Sequence, residues 1–95
     1  MASDAEEIAA LPRRIAHVAY ATLVACEGGN PSTPSEIIIY DAESRSLGGT
    51  CSALRRAIEA GLVDRWGHGI YVPTTRAYGL RRPLEDRFLK ETEEE

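Results

Sequence analysis

The sequence contains no apolar run near the roughly 20 residues that a helix needs to cross a bilayer, so no membrane-spanning helix is expected. Only two cysteines and two histidines occur. Cys26, Cys51, His17 and His68 lack the spacing of metal ligands, so no metal site and no cofactor are expected. No Ser or Cys nucleophile stands with a positioned His, no carboxylate pair marks a pocket, and no glycine loop follows a phosphate-binding pattern. An enzyme is therefore not expected. There is no internal repeat and no low-complexity segment. The acidic, polar start from Met1 to Glu7 does not read as a signal peptide. Together with cysteines on apolar helical faces, read as reduced core thiols with a disulfide as the alternative, this points to the cytoplasm. His17 lies beside an apolar stripe and reads as a partly buried structural histidine.

What is present is one domain's worth of chain: 95 residues, 43% apolar and 27% charged. The formal net charge is −4, which at first opposes a nucleic-acid partner. Seven of the fifteen acids fall in the two termini, however, as Asp4, Glu6, Glu7, Glu91, Glu93, Glu94 and Glu95. Residues 8–90 hold eleven basic against eight acidic groups, a net of +3, so the expected folded body is mildly basic.

The chain is organised around 46–63. Leu47, Cys51, Leu54 and Ile58 recur at the spacing of one helical face. Ser46 can cap the start, and Gly61 stands where a helix ends in the left-handed conformation. The expected outer face carries Arg45, Gly49, Ser52 and Arg56, with Arg55 beside it. Residues 62–73 then read as strand, tight turn at Gly67-His68-Gly69, and strand. Trp66 is expected in the core at the base of this hairpin, with a stacking platform as the alternative.

Residues 1–10 are expected to be a flexible acidic terminus, although 5–10 has the composition to extend a helix. Pro12 opens a helix whose stripe is Ile15, Val18, Ala19, Thr22, Leu23 and Cys26, with the Thr22 hydroxyl returning to a carbonyl one turn back. Gly28 and Gly29 end it. Thr33-Pro34-Ser35-Glu36 combines a capping box with proline at the first helical position, so the three isoleucines that follow are expected in a short helix rather than a strand. Thr74 and Thr75 start another helix, and Pro83 is expected to break or kink it. Beyond it, 83–95 is expected to form a last helix and an acidic tail.

This order resembles the winged helix-turn-helix transcription regulators of bacteria, archaea and phages: a mainly α fold with a small β-hairpin, a three-helix core over 11–82, a wing and a C-terminal helix. The segment Leu54-Arg55-Arg56-Ala57-Ile58-Glu59-Ala60-Gly61-Leu62-Val63 is similar to the family's turn from recognition helix into wing. Pro73-Thr74-Thr75-Arg76-Ala77-Tyr78 is similar to the segment after the wing. Gly48 and Gly49 stand where the family usually carries longer side chains.

The resemblance implies a small transcriptional regulator binding duplex DNA, with helix 46–60 in the major groove. Arg56 and Ser52 are then candidates for base edges, and Arg45, Arg55 and Arg65 for phosphates. His68 at the hairpin tip would enter a minor groove or touch backbone, and the amides around Gly48 and Gly49 would hold a phosphate. Leu80, Leu84, Phe88 and Leu89 form an apolar edge, covered either within the chain or by a second copy in a homodimer. The alternative role is a protein partner: a winged-helix interaction module, such as a phage or plasmid factor docking on a host protein.

Overall fold

The computed structural model describes residues 3–41, 43 and 46–93. It is a mainly helical fold with a two-stranded antiparallel hairpin. The elements run α1 (Asp4–Ala10), α2 (Arg13–Ala25), α3 (Pro34–Ile37) continued by a 3-10 turn (Ile38–Tyr40), α4 (Leu47–Glu59), β1 (Val63–Gly67), β2 (Ile70–Pro73), α5 (Thr75–Gly79) and α6 (Arg81–Glu93).

Helix α2 is the axis of the molecule, packed by α3, α4, α6 and β2. The expected stripe from Ile15 to Cys26 is buried throughout, but so are Ala16, His17 and Ala21 beside it. A helix covered on more than one side sits inside the fold, and its alanines let the neighbouring helices approach closely. The Thr22 hydroxyl donates to the Val18 carbonyl at 2.7 Å, so no polar group is stranded there. Cys26 is buried, Cys51 is half-buried, and both are free thiols; the expectation that both lie in the core holds for Cys26 alone.

Both ends of α4 form as their residues dictate. The Ser46 hydroxyl accepts from the Gly49 amide at 3.1 Å. At the other end Gly61 takes φ +79°, its amide donates to the Ile58 carbonyl, and the Leu62 amide donates to the Ala57 carbonyl, each at 3.0 Å. This is a Schellman closure, with buried Leu62 as its apolar anchor. The capping box of α3 is present, with the Thr33 amide donating to Glu36 Oε1 at 3.2 Å.

Several expectations are corrected. The chain from Ser3 onward is not a loose terminus: α1 is capped by Ser3 and buries Ile8 against the core. Seven residues do not make a stable helix alone. What holds α1 is Arg87 of α6, whose Nη1 donates to the Ile8 and Leu11 carbonyls at 2.6 and 2.7 Å. Pro83 does not break a helix. The break comes at Leu80, and Pro83 occupies the first turn of α6, where an amide has no helical partner to lose. Glu91 and Glu93 belong to α6 rather than to a tail. The expected flexible and acidic ends are thus largely part of the fold, and residues 3–93 carry eleven basic against thirteen acidic groups, a net of −2. The body is not basic overall.

Candidate nucleic-acid interface

The buried stripe of α4 is Thr50, Ala53, Leu54 and Ala57, not Leu47, Cys51, Leu54 and Ile58. Leu47 is 49% exposed, and Cys51 and Ile58 are only half-buried. The helix is rotated by about one residue from the hydrophobic expectation because small side chains, rather than large ones, face the alanine-lined surface of α2. Polar contacts fix that rotation. Arg14 of α2 donates through Nη2 to the Gly49 carbonyl at 2.7 Å and lies 3.8 Å from the buried carboxylate of Asp41. Thr50 donates to the same carboxylate at 3.4 Å. Arg14, Asp41 and Thr50 therefore anchor the first turn of α4, and none of them was singled out from the sequence. A buried carboxylate needs such partners, but an isolated Asp after a run of isoleucines gives no sign of where those partners will be.

The rotation decides which side chains face outward. Gly48, Ser52, Arg55 and Glu59 follow one another along the exposed side, and Arg56 stands to one flank, next to Gly49. Ser52, Arg55 and Arg56 are exposed, and neither arginine side chain makes a hydrogen bond or ion pair among the described residues. Gly49 is half-buried, with its amide given to Ser46 and its carbonyl to Arg14, so it has no amide left for a phosphate. No Cβ-sized obstacle lies near Gly48. Arg45 lies outside the described residues.

The hairpin follows from Gly61. Thr74 donates to the Gly61 carbonyl at 2.7 Å and Arg76 to the Ala60 carbonyl at 2.6 Å, which ties the end of α4 to the start of α5. The ribbon also gains a one-residue third member that the sequence reading missed: Ser32 exchanges two backbone hydrogen bonds with Tyr71, at 3.0 and 2.9 Å. At the tip, Gly69 adopts φ +74°, and Arg65 folds back so that Nε donates to the Gly67 carbonyl at 3.2 Å. Arg65 and His68 are thereby gathered at one end, both exposed. Trp66 is not a core residue: it is 68% exposed. Alternation from buried Val63 would have turned Trp66 outward, a signal outweighed by the general tendency of indoles to be covered.

The expected apolar edge on α6 is used within the chain. Leu80 and Leu84 are buried in the core, and Phe88 stacks at a tilt on Tyr20 and His17, with ring centroids 4.7 and 5.3 Å apart. Only Leu89 remains well exposed. Beside them lies a polar seam between α2 and α6. His17, fully buried, has Nε2 3.0 Å from Glu91 Oε1, and Arg87 donates to the same oxygen at 2.8 Å. Burial pushes the Glu91 carboxyl up, but the hydrogen bonds from His17 and Arg87 outweigh it and hold the group below the usual carboxylate range. Burial raises the Tyr20 hydroxyl, helped by the nearby Glu85 charge. Among the described residues no group of three His, Cys, Asp or Glu side chains is arranged to hold a metal, and no helix is long and apolar enough to cross a membrane.

Comparison with protein-family models, with curated proteins and with solved structures found no match.

Proposed function

We propose that the chain is a winged helix-turn-helix domain that binds duplex DNA as a small transcriptional regulator, with α4 in the major groove and the hairpin as a wing on the backbone or minor groove. The observation that carries the reading is the outward side of α4. Ser52 and Arg55 project from it with nothing to engage them, Gly48 leaves room for close approach, and Arg65 and His68 extend the surface along the hairpin. The α4 rotation moves Arg55 to the centre of this side, so Arg55 and Ser52 take the base edges and Arg56 a flanking phosphate. Local charge favours this surface: α1 and α6 hold seven of the fifteen acids, whereas Glu59 and Asp64 are the acidic groups of α4 and the hairpin.

A homodimer through Leu80 and Leu84 is not part of the proposal, since both are already covered within the chain; Leu89 offers the only well-exposed leucine on that helix. A protein-docking role is the second reading, favoured by Ile39, Tyr40 and Leu47, which are 73%, 43% and 49% exposed around the start of α4. Fluorescence anisotropy of labelled random-sequence duplex at low salt separates the two. Binding that weakens steeply with salt supports the DNA reading; no binding at micromolar protein overturns it in favour of a protein partner.

A further inference from the structure

The ladder of the hairpin pairs Asp64 with Val72 and Arg65 with Tyr71, but then Gly67 rather than Trp66 with Ile70. Trp66 is therefore the extra residue of a β-bulge, a device that re-aims a side chain. Here it leaves the chain's single tryptophan 68% exposed, forgoing the burial that such a large ring ordinarily gains. The turn next to it in the chain is polar. Arg65 is held against the turn by the Gly67 carbonyl, with Nη2 3.4 Å from His68 Nδ1. The Asp64 carboxylate accepts from the Arg65 amide at 2.9 Å. At Gly67 and Gly69 a Cβ would meet nothing within 4 Å, so a flat ligand can come close.

Resting on the DNA reading above, we infer that Trp66 is a base-stacking residue: its indole takes the face of a nucleobase exposed at an unstacked step, while Arg65 holds a neighbouring phosphate. A partner protein that received this indole would line it with apolar groups, whereas the turn that follows Trp66 in the chain carries the exposed Arg65–His68 pair. A nucleotide offers a π face and a negative charge in one ligand, which matches the pair. Because bases in intact duplex are already stacked, the site favours DNA in which one face is free, as at a gap or an unpaired base, or a step that the ring itself wedges open.

The single tryptophan makes the test direct. Trp66 emission and the anisotropy of labelled DNA are followed together, with one intact duplex and the same duplex carrying a one-nucleotide gap. Stacking predicts quenched emission as DNA binds and tighter binding of the gapped duplex. W66A is expected to bind the gapped duplex about ten-fold more weakly, with W66F between it and the parent. An exposed residue can be truncated without opening the core, and matched thermal unfolding of W66A checks this. Unchanged emission on DNA that anisotropy shows to be bound, or equal affinity of W66A, overturns the stacking role and leaves the DNA reading standing. No anisotropy change with either DNA overturns both and directs attention to a protein partner.

Discussion

The two sides of the molecule use arginine in opposite ways. On the seam between α2 and α6, Arg87 bridges Glu91 and the carbonyls that end α1, and Arg13 lies 3.7 Å from the Glu91 carboxylate. On α4, the side chains of Arg55 and Arg56 make no hydrogen bond or ion pair among the described residues, and the hairpin beyond them exposes an indole. Buried or half-buried cations must be satisfied within the chain, because unpaired charge away from water is costly. Cations left unsatisfied on a surface cost the fold little and remain available to a partner. The seam is therefore read as architecture and the α4 side as the working surface, although both are rich in the same residue type.

The contrast is sharpest in what mutation does to stability and to binding. Leu84→Ala removes a side chain 1% exposed in the shared core and is expected to destabilise the protein by about 2–5 kcal/mol in urea unfolding. That loss should not vary with protein concentration; a concentration-dependent midpoint would mean that a second copy covers α6 after all.

Glu91→Gln should cost about 1–3 kcal/mol near neutral pH, since it weakens the hydrogen bonds from His17 and Arg87. The folded carboxyl is held below its unfolded value. Its contribution is thus present above the unfolded pKa, about 4.3, and is lost as pH falls through the folded one. Unfolding midpoints of parent and variant should converge in acid; curves that stay parallel down to pH 3 would remove Glu91 from the seam's energetics.

On the other side the same measurement should barely move. Arg55→Ala is expected to leave thermal stability within about 0.5 kcal/mol while costing about 1–3 kcal/mol on a preferred duplex and flattening sequence preference. Arg56→Ala should weaken all duplexes alike and make the slope of log K against log salt shallower by about one. If the two variants exchange these behaviours, α4 presents the side expected from its large apolar residues instead of the one assigned here. The smallest effect concerns the thiols: half-buried Cys51 should react with a thiol reagent before buried Cys26 in the native protein. Equal rates would mean that α4 turns Cys51 into the core as it does Leu54.

Much of this was readable along the chain. Ser46, Thr33 with Glu36, Thr74 and Gly61 mark element boundaries through bonds to amides and carbonyls a few residues away, and the structure places each boundary within a residue or two of them. The α2 stripe was readable because its large residues repeat at helical spacing. The candidate site was half readable. Arg55, Arg56, Ser52, Arg65 and His68 are exposed as expected, but which arginine stands at the centre of α4 was not legible.

Sequence alone determined the order, type and ends of most elements, since propensity, capping and glycine conformation act over one turn of chain. Tertiary structure decided the rest. Whether 4–10 is helix depended on Arg87, some eighty residues away, supplying donors to its last carbonyls. The rotation of α4 depended on Arg14 and Asp41 meeting across the fold, and on small residues packing more closely than large ones. That Trp66 is left without a partner in the ladder depended on a bulge that exists only once two strands are paired. Each of these is a relation between distant parts of the chain, and local spacing carries no record of it.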